Sequence, residues 1–144
     1  MARLLLEVNV WMALLDDTRI HNTQAPALFS QPKLQIATCS LTENGLLRVL
    51  NLPGYAKRVP PGFDAVREKL SLACGDRDHE FWPFNLSLRS DQVLNGSRIM
   101  GHNQITDAYL LALSVSNGST LATFDSQVAP SSVVGALPEH LKLL

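Results

Sequence analysis

The chain has 144 residues, 46% of them apolar and 17% charged, with twelve Lys and Arg against thirteen Asp and Glu. One domain is the expectation at that length, and this composition excludes a disordered tail, a low-complexity segment and a coiled coil. A net charge of −1 gives no global signature for nucleic acid, and the only two cysteines, Cys39 and Cys74, lack the spacing of a zinc finger or a disulfide framework and fit a reducing compartment.

The opening apolar run is interrupted by Glu7 and Asn9, too early for a signal peptide, and no run reaches the roughly 18 apolar residues of a membrane span. A soluble, cytoplasmic protein is expected. Residues 4–8 predict a buried strand. Residues 9–15 predict a helix closed by Asp16 and Asp17, and residues 21–29 a second one. Residues 35–39 predict a strand, and residues 40–50 a helix opened by a capping box, Ser40-Leu41-Thr42-Glu43. Residues 51–62, with Pro53, Gly54, Pro60 and Pro61, predict a loop. Residues 63–74 predict a helix with Ala65, Val66, Leu70 and Ala73 on or near one face, and residues 79–93 hold one or two short strands. Residues 107–117 form the most apolar helix, stopped by Gly118. Residues 120–124 predict a strand and residues 140–144 an edge strand. Strands alternating with helices predict a parallel sheet covered on both faces, with sites beyond the carboxyl ends of the strands.

Nine of the acids, Asp16, Asp17, Asp64, Glu68, Asp76, Asp78, Glu80, Asp91 and Glu139, sit in polar company and read as solvated surface. Four do not. Glu7 lies within the first apolar run, where a lone carboxylate is costly unless paired with a cation such as Arg48 or Arg98, or with a metal. Glu43 heads the stripe of Leu46, Leu47 and Leu50, and also suits the cap of its helix. Asp107 opens the most buried helix, where the helix dipole favours it in any case. Asp125 ends the strand at 121–124, a place that also suits a turn residue. All four fall at strand ends or at helix starts just beyond a strand, which a parallel sheet gathers on one edge. Carboxylates packed there repel unless a cation screens them, and oxygen-only ligands suit Mg²⁺ or Mn²⁺. Such a site suits phosphodiester hydrolysis.

Four segments then carry a family resemblance: Leu5-Leu6-Glu7-Val8-Asn9-Val10; Thr38-Cys39-Ser40-Leu41-Thr42-Glu43-Asn44-Gly45 with Arg48; Gly101-His102 through Thr106-Asp107-Ala108-Tyr109; and Leu121-Ala122-Thr123-Phe124-Asp125. In order and spacing they resemble the PIN domain of VapC-type toxins, from about residue 3 to about residue 135. The resemblance implies an α/β fold, a PIN-like α/β/α sandwich with a central parallel sheet of four to five strands. It implies a Mg²⁺- or Mn²⁺-dependent endoribonuclease acting on structured RNA such as tRNA, leaving a 5′-phosphate and a 3′-hydroxyl. It also implies a homodimer, and a VapB-type antitoxin whose C-terminal segment lies over the acidic site. The family's acids fall on Glu7, Glu43, Asp107 and Asp125, its usual Asn on Asn9, and a hydroxyl near the site on Thr123.

Two departures stand out. The family has Asp where this chain has Glu7, a longer side chain at a site whose ion demands near-ideal geometry. Pro83-Phe84-Asn85 carries no acid where relatives often have one. The alternative reading is therefore an attenuated or inactive PIN domain that binds RNA or its antitoxin without cleaving. Arg48 and His102 are candidates for a carboxylate or phosphate contact, Arg89 and Arg98 for a local RNA contact, and His21 for a supporting role. Trp11 and Tyr109 read as core. Leu14, Leu15, Leu28 and Phe29 read as core or as a groove for a partner helix. No GxGxxG, Walker A or GxSxG pattern is present, which disfavours nucleotide-cofactor and serine-hydrolase chemistry.

Overall fold

A computed structural model describes residues 2–16, 24–55 and 59–144. These residues form a five-stranded sheet whose neighbouring strands all run parallel. The strands are β1 (Leu4–Leu6), β2 (Gln35–Cys39), β3 (Asp78–Trp82), β4 (Thr120–Thr123) and β5 (Leu141–Leu143), in the order β3-β2-β1-β4-β5. The helices are α1 (Val8–Leu15), α2 (Gln24–Phe29), α3 (Ser40–Val49), α4 (Phe63–Gly75) and α5 (Ile105–Ser116).

Period-two alternation assigns each strand residue to one of two cores. Leu4, Leu6, Ile36 and Ala122 point to a core shared with Trp11, Phe29, Leu46, Leu50, Val66 and Leu70, from α1 through α4. Leu5, Ala37 and Leu121 point the other way, to a core built on Leu110, Leu111 and Leu113 of α5. This is the expected α/β/α sandwich: the central strands β1, β2 and β4 are buried on both faces and largely apolar, while the edge strands β3 and β5 are mostly exposed. Leu111 and Leu113 are fully buried, each worth roughly 1.5–3 kcal/mol. Trp11 and Tyr109 are core, as read, and so are Leu28 and Phe29, with Leu14 and Leu15 packed against them. Arg3 ties the amino ends of three strands together, donating to the Ile36 and Asp78 carbonyls and pairing with Asp78 at 2.9 Å and Glu80 at 3.2 Å.

Several expectations need correction. β1 stops at Leu6, and Glu7 takes the N-cap position of α1, so Val8 begins a helix instead of ending a strand. The cap of α3 lies one residue earlier than Ser40. Cys39 is the N-cap, and its amide donates to Thr42 Oγ1 at 3.0 Å. Glu43 is thereby left out of the cap. In α4, Ala65 is exposed while Val66, Leu70 and Ala73 face the core. Asp16 is not solvated surface: it is buried and accepts a 2.6 Å bond from the Tyr55 hydroxyl. Asp17, His21 and the first residues of the second expected helix lie outside the described residues. No helix among the described residues is long and apolar enough to cross a membrane.

The strand order sets the position of the site. After β1 the chain moves to one side through β2 and β3, then crosses back through α5 to place β4 on β1's other side. The β1–β4 seam is the point where the winding reverses, and the crevice at its carboxyl end is where such sheets bind ligands.

Candidate active site

Three of the four predicted acids meet at that crevice. The parallel register pairs Leu6 with Ala122, and the Glu7 amide donates to the Ala122 carbonyl at 3.0 Å, so Glu7 and Thr123 emerge side by side. Asp125 follows two residues after Thr123. Asp107 arrives from the first turn of α5. Its carboxyl is within hydrogen-bonding reach of the carboxyls of Glu7 and Asp125.

Asp107 is half-buried, and that burial is the largest cause of a pKa pushed up to about 8. The hydrogen bond to Glu7 and its negative charge come next, followed by the charge of Asp125. Carboxylates this close cannot all ionise freely; one keeps a proton, or a cation takes its place. The donor set is three carboxylates with no thiol or imidazole, the chemistry of a hard divalent ion. Among the described residues no three or more His, Cys, Asp or Glu side chains are grouped as they would be to hold a metal ion. The three acids are close enough for Glu7 and Asp125 to raise the Asp107 pKa. The residues fit a Mg²⁺ or Mn²⁺ ion in charge and donor type.

Two side chains predicted beside the acids hold them in place. Thr123 Oγ1 accepts the Asp125 amide at 2.9 Å and Asn9 Nδ2 at 3.2 Å. Its single proton goes to Glu7 Oε2. Asn9 Nδ2 also donates to Glu7 Oε2 at 3.2 Å, and Asn9 Oδ1 accepts the Phe124 amide at 3.3 Å. Asp125 Oδ1 accepts the Gln127 amide at 2.8 Å, so the turn function read for Asp125 coexists with its place in the trio. Glu7 takes no arginine partner among the described residues.

Glu43 is held one strand over. It accepts a 2.8 Å bond from Thr38 Oγ1 of β2, and Thr38 Oγ1 is also 2.8 Å from His79 Nε2 of β3. Gly45 fixes how closely α3 approaches α1. A Cβ there would come within 2.7 Å of Val8 Cγ2, so only glycine lets the segment carrying Glu43 sit against the residue that follows Glu7.

Arg48 is exposed and has no carboxylate partner among the described residues. His102 is exposed in the short turn before α5. Arg98 lines a recess beside Asp107 with Gln104, Gln127 and Ser132. Arg89 is exposed; its neighbour Leu88 lines an apolar recess of about 350 Å³ with Leu41, Phe84, Leu86, Ile105, Thr106 and Tyr109. Thr38 and His79 escaped the sequence reading. Their one local signal is a threonine inside an apolar strand shortly before an acid, the pattern that Thr123 also shows.

A family model described as PIN domain matches residues 4–129. Ribonuclease VapC44 of Mycobacterium tuberculosis strain H37Rv is 38% identical over 143 residues, covering 99% of each chain. Ribonuclease VapC38 of the same strain is 38% identical over 126 residues, 86% of each chain. Ribonuclease VapC29, also from that strain, is 34% identical over 125 residues, 87% of each.

Proposed function

The chain belongs to the PIN-domain family, in its VapC branch, and from that premise we propose that it is a divalent-metal-dependent endoribonuclease, the toxin of a type II toxin–antitoxin pair. The observation that carries the reading is the convergence of Glu7, Asp107 and Asp125 at the winding-reversal crevice, where burial and the two neighbouring acids raise the Asp107 pKa to about 8. Structured RNA, tRNA above all, is the substrate. A VapB-type antitoxin is the partner, a homodimer the assembly and the cytoplasm the compartment.

Glu7, Asp107 and Asp125 would hold Mg²⁺ or Mn²⁺, and Glu43, bound to Thr38 one strand over, would reach the ion from the side of β2. The bound ion supplies a Lewis acid that lowers the pKa of water and offsets charge on the scissile phosphate. Thr123 and Asn9 orient the Glu7 carboxylate, which leaves its second oxygen free of them. The Asp125 carboxylate is steadied by the Gln127 amide. Arg98 stands beside Asp107, where a guanidinium can take a phosphate oxygen of the RNA backbone.

The test is incubation of antitoxin-free protein with total tRNA in Mg²⁺ or Mn²⁺ and in chelator, beside D107N. Metal-dependent scission by the parent and none by D107N supports the reading; equal cleavage by both overturns it. A second reading is favoured by one observation. Glu7 stands where the family has Asp, and its Oε2 is tied down by both Thr123 and Asn9. On that reading the domain binds RNA or its antitoxin without cutting. RNA retention without scission by the parent, with scission restored in E7D, identifies it.

A further inference from the structure

Resting on the nuclease reading, we infer that His79 is a positioning residue for the active site, acting on Glu43 through the hydroxyl of Thr38. Thr38 is fully buried near the carboxyl end of β2. The parallel register places Thr38 opposite Phe81, so His79 sits two residues earlier on β3 and reaches across to the hydroxyl from the neighbouring strand. Oγ1 lies 2.8 Å from His79 Nε2 and 2.8 Å from Glu43 Oε2.

The direction of the chain follows from donor counting. An ionised carboxylate only accepts, and a threonine hydroxyl has one proton to give. Thr38 therefore donates to Glu43, and its lone pair accepts from His79. That requires neutral His79 to carry its proton on Nε2, not on Nδ1. His79 thus aims Thr38 and Thr38 aims Glu43, which its own helix cap has left free. The logic repeats across the site. Thr123 accepts from a backbone amide and so must spend its proton on Glu7. One buried threonine from each strand flanking β1 hands a proton to a carboxylate. In Thr38 the amide's part is played by an imidazole.

Groups that orient ligand side chains typically cost 10–100-fold in metal affinity or activity when removed. H79L and T38V are each expected to lower kcat by about tenfold, with KM for tRNA within about twofold. H79L/T38V is expected to be no worse than T38V, because His79 acts only through that hydroxyl. H79Q, which offers an amide N–H near the place of Nε2, recovers most of what leucine loses. Two readouts stand apart from cleavage. Imidazole ¹⁵N shifts of the parent should show the Nε2–H tautomer at neutral pH. Mn²⁺ affinity should fall about tenfold in H79L and T38V alike, with melting temperatures held as a control on folding. An Nδ1–H tautomer, multiplicative losses in the double variant, or H79L with parental Mn²⁺ affinity overturns the inference. If parent and D107N are both inert toward RNA, the nuclease reading fails, and the tautomer and Mn²⁺ measurements still decide the positioning role.

Discussion

The Asp107 carboxyl lies within hydrogen-bonding reach of the Glu7 carboxyl, although one comes from the first turn of α5 and the other from the end of β1. The contact needs a proton. Burial and the two neighbouring acids raise the Asp107 pKa from 3.8 to about 8, so the folded protein binds this proton where an unfolded chain releases it. Stability from this group is complete below about pH 4 and drains away as pH rises towards 8. The melting temperature of metal-free protein should therefore fall between pH 5 and pH 8, and D107N should flatten the fall. A cation must displace the same proton. Mn²⁺ affinity should rise with pH across that interval, with close to one proton released per ion, as calorimetry in buffers of different ionisation heat would read. A pH-independent affinity would contradict the protonated trio.

E7D shortens the first acid by one methylene and brings it to the family's residue. It moves the carboxylate away from Thr123 and Asn9, while Asp107 and Asp125 stay. With Glu7 functional as it stands, E7D should not exceed the parent in tRNA cleavage and should lose up to about a hundredfold, the cost of a misplacement of about 1 Å. Single-turnover cleavage in Mn²⁺ measures this directly.

T123V keeps the shape of a buried β-branched residue and removes the hydroxyl. The Asp125 amide then loses its acceptor and Glu7 loses a donor. Leaving one buried donor unpaired costs about 1–3 kcal/mol. Denaturant titration should show that loss, and cleavage should drop by about 10–100-fold because two acids lose their support together. T123S, which retains the oxygen, should stay near the parent in activity.

G45A places a methyl 2.7 Å from Val8 Cγ2. Overpacking of this kind costs roughly 1–3 kcal/mol. The helix interior would by itself gain from alanine, so a net loss in urea titration isolates the clash. V8A in the same chain should restore most of the stability. If G45A proves as stable as the parent, the approach of α3 to α1 is looser than described.

Much of the framework is written in local pattern. β2 spans the residues predicted, because a run of β-branched and apolar residues bounded by a helix start has one sensible reading. Glu7, Glu43 and Asp125 each follow an apolar strand closely enough to mark its end, whereas Asp107 follows the polar turn before α5 and is marked only by the apolar helix it opens. What was not legible depends on contacts distant in sequence. Periodicity could not end β1 at Leu6, because Val8 is as apolar in a helix as in a strand. Asp16 looks solvated beside Asp17, and the Tyr55 hydroxyl that helps make its burial tolerable comes from 39 positions on. Serine is a preferred cap and cysteine is not, so Cys39 was passed over and Glu43 was given a role that Thr42 fills. His79 reaches Thr38 across 41 positions, a pairing fixed by strand register and by nothing in either segment alone.

The seam between β1 and β4 joins groups made far apart in time: Thr123 meets Glu7 across 116 positions. A ribosome that has emitted only the first hundred residues has displayed Glu7 and Glu43 but neither Asp107 nor Asp125. The nascent polypeptide therefore lacks two of the four acids. The acidic crevice is complete only when the segment carrying Asp107 and Asp125 has emerged and docked.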